Sequence, residues 1–142
     1  MRLALACAQA AGLAGEVPIG AVVTQGGKVI ATGENRNRRD NDSTAHAEMV
    51  AIRAACVALE QERLTGCDLW VTLEPCPMCA GAIAHARIAR LYYGAPDPKG
   101  GGVDHGARVF AHPQCHHRPE LFSGIGEETS ARLLRDFFAE RR

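Results

Sequence analysis

The stretch DLWVTLEPCPMCAGAIAHARIARLYYG, residues 68–94, decides the fold. Asp68 to Leu73 is a short apolar run and reads as a buried strand. Pro75 opens a helix that continues through Ala86, because proline suits the first helical turn, where its missing N–H has no partner anyway. Arg90 to Gly94 is the next strand. Strand, helix and strand in direct succession form a βαβ unit, and such a crossover makes the two strands parallel.

Upstream, LALACAQAAGLAG follows Met1-Arg2 and imitates a signal peptide. Its charged region is a single residue, however, and Gln9 interrupts the apolar core. A helix with Leu3, Ala6, Cys7 and Ala10 along one face is the better reading. AVVT at 21–24 and KVIAT at 28–32 flank Gln25-Gly26-Gly27 and form a hairpin. GENRNRRDND at 33–42 is a polar loop, and Thr44 is the expected N-cap of a helix over 45–59 with Met49, Ile52, Ala55 and Cys56 inward. Downstream, APDPKGGGVDHG at 95–106 is a loop, and a short strand is expected at Glu120 to Phe122. A final helix is expected over 127–142, with Leu133, Leu134, Phe137 and Phe138 facing in. The architecture is α/β: one domain over 1–142, with a central mixed sheet covered by helices.

The chain has 142 residues, 46% of them hydrophobic and 23% charged, which suits one packed core. Basic and acidic side chains balance at 16 each, which excludes a general polyanion-coating protein but leaves room for a local basic patch. A chain with this much apolar content does not need its six cysteines as staples. They are expected to be reduced, in a cytoplasmic protein. No stretch has the apolar length of a membrane span.

The chemistry is concentrated in His46-Ala47-Glu48 and in Pro75-Cys76-Pro77-Met78-Cys79, each at a helix start. Cys76 and Cys79 are three apart, so on a helix they share a face, and a helix N-terminus favours their thiolate form. With His46 they make three soft or borderline ligands. Such a set suits Zn2+ and leaves a fourth tetrahedral position for water. Glu48 is not needed as a ligand and is free to act as general acid and base. Residues two apart on a regular helix face different ways, so His46 and Glu48 must lie in the first turn to meet at one site. Taken alone, CxxC is also a redox pair or half a structural zinc site, and HxE is a common tripeptide. Together, H-x-E and P-C-x-x-C at two helix starts form the signature of zinc-dependent nucleobase deaminases.

Six segments extend that match: EVPIGAVV at 16–23, GENR at 33–36, TAHAEM at 44–49, VTLEPCPMCAGAI at 71–83, YYGAPDPKGGG at 92–102 and DFFAERR at 136–142. Through them the chain resembles the bacterial tRNA-specific adenosine deaminases of the cytidine deaminase superfamily. The resemblance implies a three-layer sandwich with a mixed five-stranded sheet, a homodimer with one Zn2+ per subunit, and conversion of a wobble adenosine in a tRNA anticodon to inosine. It also implies that water attacks C6 of the adenine while Glu48 protonates N1 and then the departing amine. Asn35 would hydrogen-bond the flipped base with help from the Ala45 amide, the alternative being that Asn35 only holds a turn. Arg36, Asp97, Lys99 and Arg141 would meet the anticodon stem-loop. Arg38 and Arg39, close to Asp40 and Asp42, are equally readable as a solvated loop.

Two departures and three rivals complete the reading. Glu34 stands where the family often has an aromatic residue, and the usual residues before the first helix are fewer. Free cytidine deaminases typically carry an arginine–glutamine pair after the second cysteine, where this chain has Ala80-Gly81-Ala82. A deaminase of free guanine, cytosine or a nucleoside such as cytidine would use the same metal site. A non-catalytic zinc protein and a thiol-redox protein are the other rivals. Adjacent His116 and His117 point differently and are not read as a second metal site.

Overall fold

The computed structural model describes residues 1–141; Arg142, the last residue of the expected terminal helix, lies outside them. Helix α1 spans Arg2–Leu13 and leads into the hairpin of β1 (Gly20–Gln25) and β2 (Lys28–Glu34). Gly26 and Gly27 both take positive φ at its turn, which glycine does without steric cost. Helix α2 (Ala47–Leu59), strand β3 (Cys67–Leu73), helix α3 (Pro77–Ala86) and strand β4 (Arg90–Ala95) follow. A 3-10 turn at Val109–Ala111, strand β5 (Glu120–Phe122) and helix α4 (Glu127–Ala139) complete the chain.

The five strands form one mixed sheet in the order β2-β1-β3-β4-β5. β1 runs antiparallel to β2 and β3, whereas β3, β4 and β5 are mutually parallel, as the βαβ reading requires. Two glycines show how the helices share the faces. A Cβ on Gly20 would sit 2.1 Å from Ala4 O of α1, and one on Gly33 would sit 2.3 Å from Ala47 O of α2. Gly33 pairs with Ala21, the residue after Gly20, so the two glycines face opposite sides of the sheet. α1 packs with α4 on one side, and α2 with α3 on the other. Between the sheet and the second pair lies the main core, with Leu64, Leu69, Val71, Ile83, Ile88, Leu91 and Tyr93 fully buried. On the opposite face Trp70, Tyr92 and Phe122 stack across β3, β4 and β5, with centroids 3.8 and 4.7 Å apart.

Several expectations shift. α1 buries Ala4, Ala8 and Ala11, whereas Leu3, Ala6 and Ala10 are exposed and Cys7 is half-buried. The close approach at Gly20 explains this, since only small residues fit that seam. α2 starts at Ala47 rather than Ala45, and Thr44 caps nothing: its amide and hydroxyl both donate to Asp42 Oδ1. α3 starts at Pro77 rather than Pro75. Cys76 precedes that proline, and clash with the ring keeps such a residue out of helical geometry. α4 ends at Ala139; Phe137 is buried, but Phe138 is 47% exposed and meets Phe137 only edge to face.

Candidate metal centre

His46 stands just outside α2, at φ −70° and ψ 153°, with its side chain making no cap. The cap comes from elsewhere: Asn35, at the end of the hairpin, accepts the Ala47 N–H on Oδ1 at 2.9 Å. Asn35 Nδ2 donates to Val17 O at 3.2 Å, so the side chain ties the end of α1's loop to the start of α2. Because His46 is not helical, the two-residue offset no longer separates it from Glu48. Glu48 occupies the second helical position and is buried at 4% exposure.

Cys76 is likewise a cap residue, extended at ψ 171°, and Cys79 lies in the first turn of α3. The two cysteines are therefore a cap and a first-turn residue, not two positions on one helix face. His46 Nδ1 is 3.6 Å from Cys76 Sγ and 3.5 Å from Cys79 Sγ. A tetrahedral Zn2+ with ordinary Zn–S and Zn–N bonds separates its sulfur and nitrogen ligands by about 3.6 Å. The donor set thus fits zinc in both chemistry and spacing. It is the one group of three or more His, Cys, Asp or Glu ligand atoms this close together among the described residues. His116 and His117 form no second one, and His117 Nε2 instead meets Ile88 O at 2.6 Å.

The two cysteines differ in acidity. The Cys79 thiol, His46 and the Cys79 amide hold the Cys76 thiolate down at about 4, against its burial. Cys79 is pushed up by that same bond to Cys76 and by burial. His46 is raised, chiefly by its bond to Cys76. Burial pushes the Glu48 carboxyl up to about 7, and the Cys76 charge works in the same direction. A carboxyl poised near neutrality can both take and give a proton.

The expected substrate residues divide. The Ala45 amide donates to Asp42 O at 3.1 Å, in the turn that leads into His46. Asn35 has one Nδ2 proton left after its two structural bonds. Arg36 forms a two-point pair with Asp40, and Asp97 Oδ1 accepts the Lys99 and Gly100 amides. Arg141 lies 3.5 Å over the Phe137 ring. It also lines, with Lys99, a groove of about 800 Å³ to which Arg135, Leu134 and exposed Phe138 contribute. Arg135 was not anticipated there; the mixture of cations and aromatics near the C-terminus was its only signal.

Two buried carboxylates also went unread. Glu16, 1% exposed, accepts the Arg38 and Arg39 amides and pairs with the Arg39 guanidinium. Arg39 then reaches Glu34 and Asn35 O, which makes Arg39 a loop brace and gives Glu34 an ionic partner. Glu74 does the same for the loop after β4.

Comparison with known proteins places this geometry in a family. The MafB19-like deaminase family model matches residues 1–142. A tRNA-specific adenosine deaminase of Agrobacterium fabrum is 61% identical over 142 residues, covering all of this chain and 93% of its own. A solved structure from work on A-to-I editing by tRNA:A34 deaminases superposes with a TM-score of 0.93 at 60% identity, over 94% of this chain and 97% of that one. A guanine deaminase of Bacillus subtilis superposes less closely, with a TM-score of 0.68 at 34% identity over 99% and 90% of the two chains. The chain belongs to the MafB19-like deaminases, in the group of the tRNA-specific adenosine deaminases.

Proposed function

We propose that this chain hydrolyses the wobble adenosine of a tRNA anticodon to inosine, releasing ammonia. The observation that carries the reading is buried Glu48 beside the His46, Cys76 and Cys79 donor set, in a chain 61% identical to a tRNA-specific adenosine deaminase. His46 Nδ1 and the two Sγ atoms hold the metal. When bound at such a three-ligand site, zinc supplies Lewis-acid activation of water at neutral pH.

Glu48 moves the protons. Its carboxylate takes one from the attacking water and delivers it to adenine N1; a second transfer to the exocyclic nitrogen lets ammonia leave. Asn35 offers its remaining Nδ2 proton to the flipped base. Lys99 and Arg141 line the groove that receives the anticodon stem-loop, the Ala45 amide helps hold the base, and Arg36 and Asp97 are further contacts to the RNA. Residues 1–142 act as a single deaminase domain and, by resemblance, as a cytoplasmic homodimer. Among the described residues no helix is long and apolar enough to cross a membrane.

Competition tests the substrate class. Excess free guanine, cytosine or cytidine should leave turnover of an anticodon stem-loop intact. Inhibition by one of them, with ammonia released from it, would transfer the assignment to a free-base or nucleoside deaminase.

A further inference from the structure

Glu74 directly precedes Pro75, and its carboxylate is fully enclosed in the fold. Five N–H and ring-nitrogen groups converge on it. Oε1 accepts the Asp97 amide at 3.1 Å and faces His105 Nδ1 at 2.7 Å. Oε2 accepts the amides of Val103, Asp104 and His105 at 3.2, 3.0 and 3.1 Å. Every partner belongs to the single loop between β4 and the 3-10 turn. A buried carboxylate without partners would be costly; this one is saturated, and by one segment only.

The loop's glycines show how tightly it is seated. A Cβ on Gly101 would lie 2.4 Å from Glu74 Oε2 and 2.5 Å from Asp97 O. On Gly102 it would lie 2.6 Å from Pro77 N and 2.9 Å from Cys76 C. The Gly102 amide donates to Pro75 O at 2.8 Å. The loop backbone therefore rests on the turn that presents Cys76, while its other end carries Lys99 into the groove with Arg141.

We propose that Glu74 is a positioning residue for substrate: its carboxylate clamps loop 97–105 onto the Cys76–Pro77 turn, so that Lys99 and the metal-binding cysteine are held as one unit. The proposal rests on the tRNA reading for the identity of what the loop meets. Glu74→Gln is the sharpest perturbation. Its amide oxygen can keep the three bonds of Oε2, but its NH2 then faces the Asp97 N–H, donor against donor. Gly101→Ala perturbs the same clamp from the loop side, at Oε2 and Asp97 O, and leaves the carboxylate intact.

The test uses full-length zinc-loaded protein and three readouts: amide hydrogen exchange, zinc per chain, and kcat and KM on a wobble-adenosine stem-loop. In Glu74→Gln the Asp97 amide should exchange at least ~10-fold faster, the loss of one hydrogen bond to a charged group, while β3 amides stay within about twofold. KM should rise at least ~10-fold and kcat fall less than about threefold, with zinc retained. Gly101→Ala should move both readouts the same way, and the double variant should add little, because both release one clamp. Unchanged exchange overturns the proposal. So does an unchanged KM in a variant whose wild type edits the stem-loop, or a loss of zinc and kcat with KM unmoved. If the wild type does not edit the stem-loop, the tRNA reading falls and the exchange arm alone decides the clamp.

Discussion

Asn35 holds the start of α2 from a distance, and removing it should expose that dependence. In Asn35→Ala the Ala47 N–H, on a residue with no exposed surface, loses its 2.9 Å acceptor. Val17 O suffers less, since it also accepts the Ile19 amide at 2.8 Å. The loss is then one N-cap together with one orphaned buried donor, about 2–3 kcal/mol. For a chain of this size that lowers Tm by roughly 6–12 °C. Urea unfolding in the presence of a chelator measures it without a contribution from metal binding. A second substitution isolates the cause. Ala47→Pro removes the same N–H at the first helical position, where proline is tolerated, and His46 already has the extended backbone a following proline demands. In that background Asn35→Ala should cost less than about 1 kcal/mol, because no donor is left to orphan. Equal costs in the two backgrounds, or a cost below about 1 kcal/mol in the wild type, would refute the capping argument.

Other consequences are as direct. Glu48→Ala should lower turnover by at least about 100-fold while metal content stays at the wild-type level; a zinc-loaded variant with the wild-type rate would remove Glu48 from the mechanism. Cys76→Ala and Cys79→Ala leave two ligands each and should lose the metal, and full zinc occupancy in either contradicts the ligand set. Glu16 gives a pH prediction. Burial raises its carboxyl, but the Arg39 and Arg38 amides and the Arg39 guanidinium outweigh this and hold it below its ordinary 4.5. A depressed folded pKa contributes stability above the unfolded value that is lost as pH falls through the folded one. The stability gap between wild type and Glu16→Gln should therefore be full near neutrality and shrink below about pH 4.5, and a gap that widens on acidification would contradict the sign.

The local signals in the chain were sound where chemistry is local. Gly26-Gly27 marked the hairpin, the apolar runs around Cys76 and Cys79 marked the parallel pair, and even the three-residue β5 was read from its sequence. His46, Glu48, Cys76 and Cys79 were legible because each motif sits beside a helix start. Failures came where a distant partner decides. α2 begins two residues late because its cap is Asn35, twelve residues upstream. Two prolines compete for the start of α3, and the Cys76–Pro77 peptide, not Pro75, sets it. α1 is so rich in alanine that its inner face is set by how near β1 can come, not by periodicity. Glu16 and Glu74 carry no local signal of burial, because their partners lie 22–31 residues away. Helical spacing turns both Phe137 and Phe138 inward and does not say which ring leaves the core; Phe138 does, and it flanks the groove with Lys99 and Arg141.

The most direct test of the account is inosine formation in an anticodon stem-loop with adenosine at the wobble position, followed by mass spectrometry for the wild type and Glu48→Ala, with free bases and nucleosides in parallel. Inosine at that position, one ammonia per inosine and no product from the variant are the expected results. Ammonia released only from a free base or nucleoside would keep the deaminase chemistry and contradict the tRNA assignment.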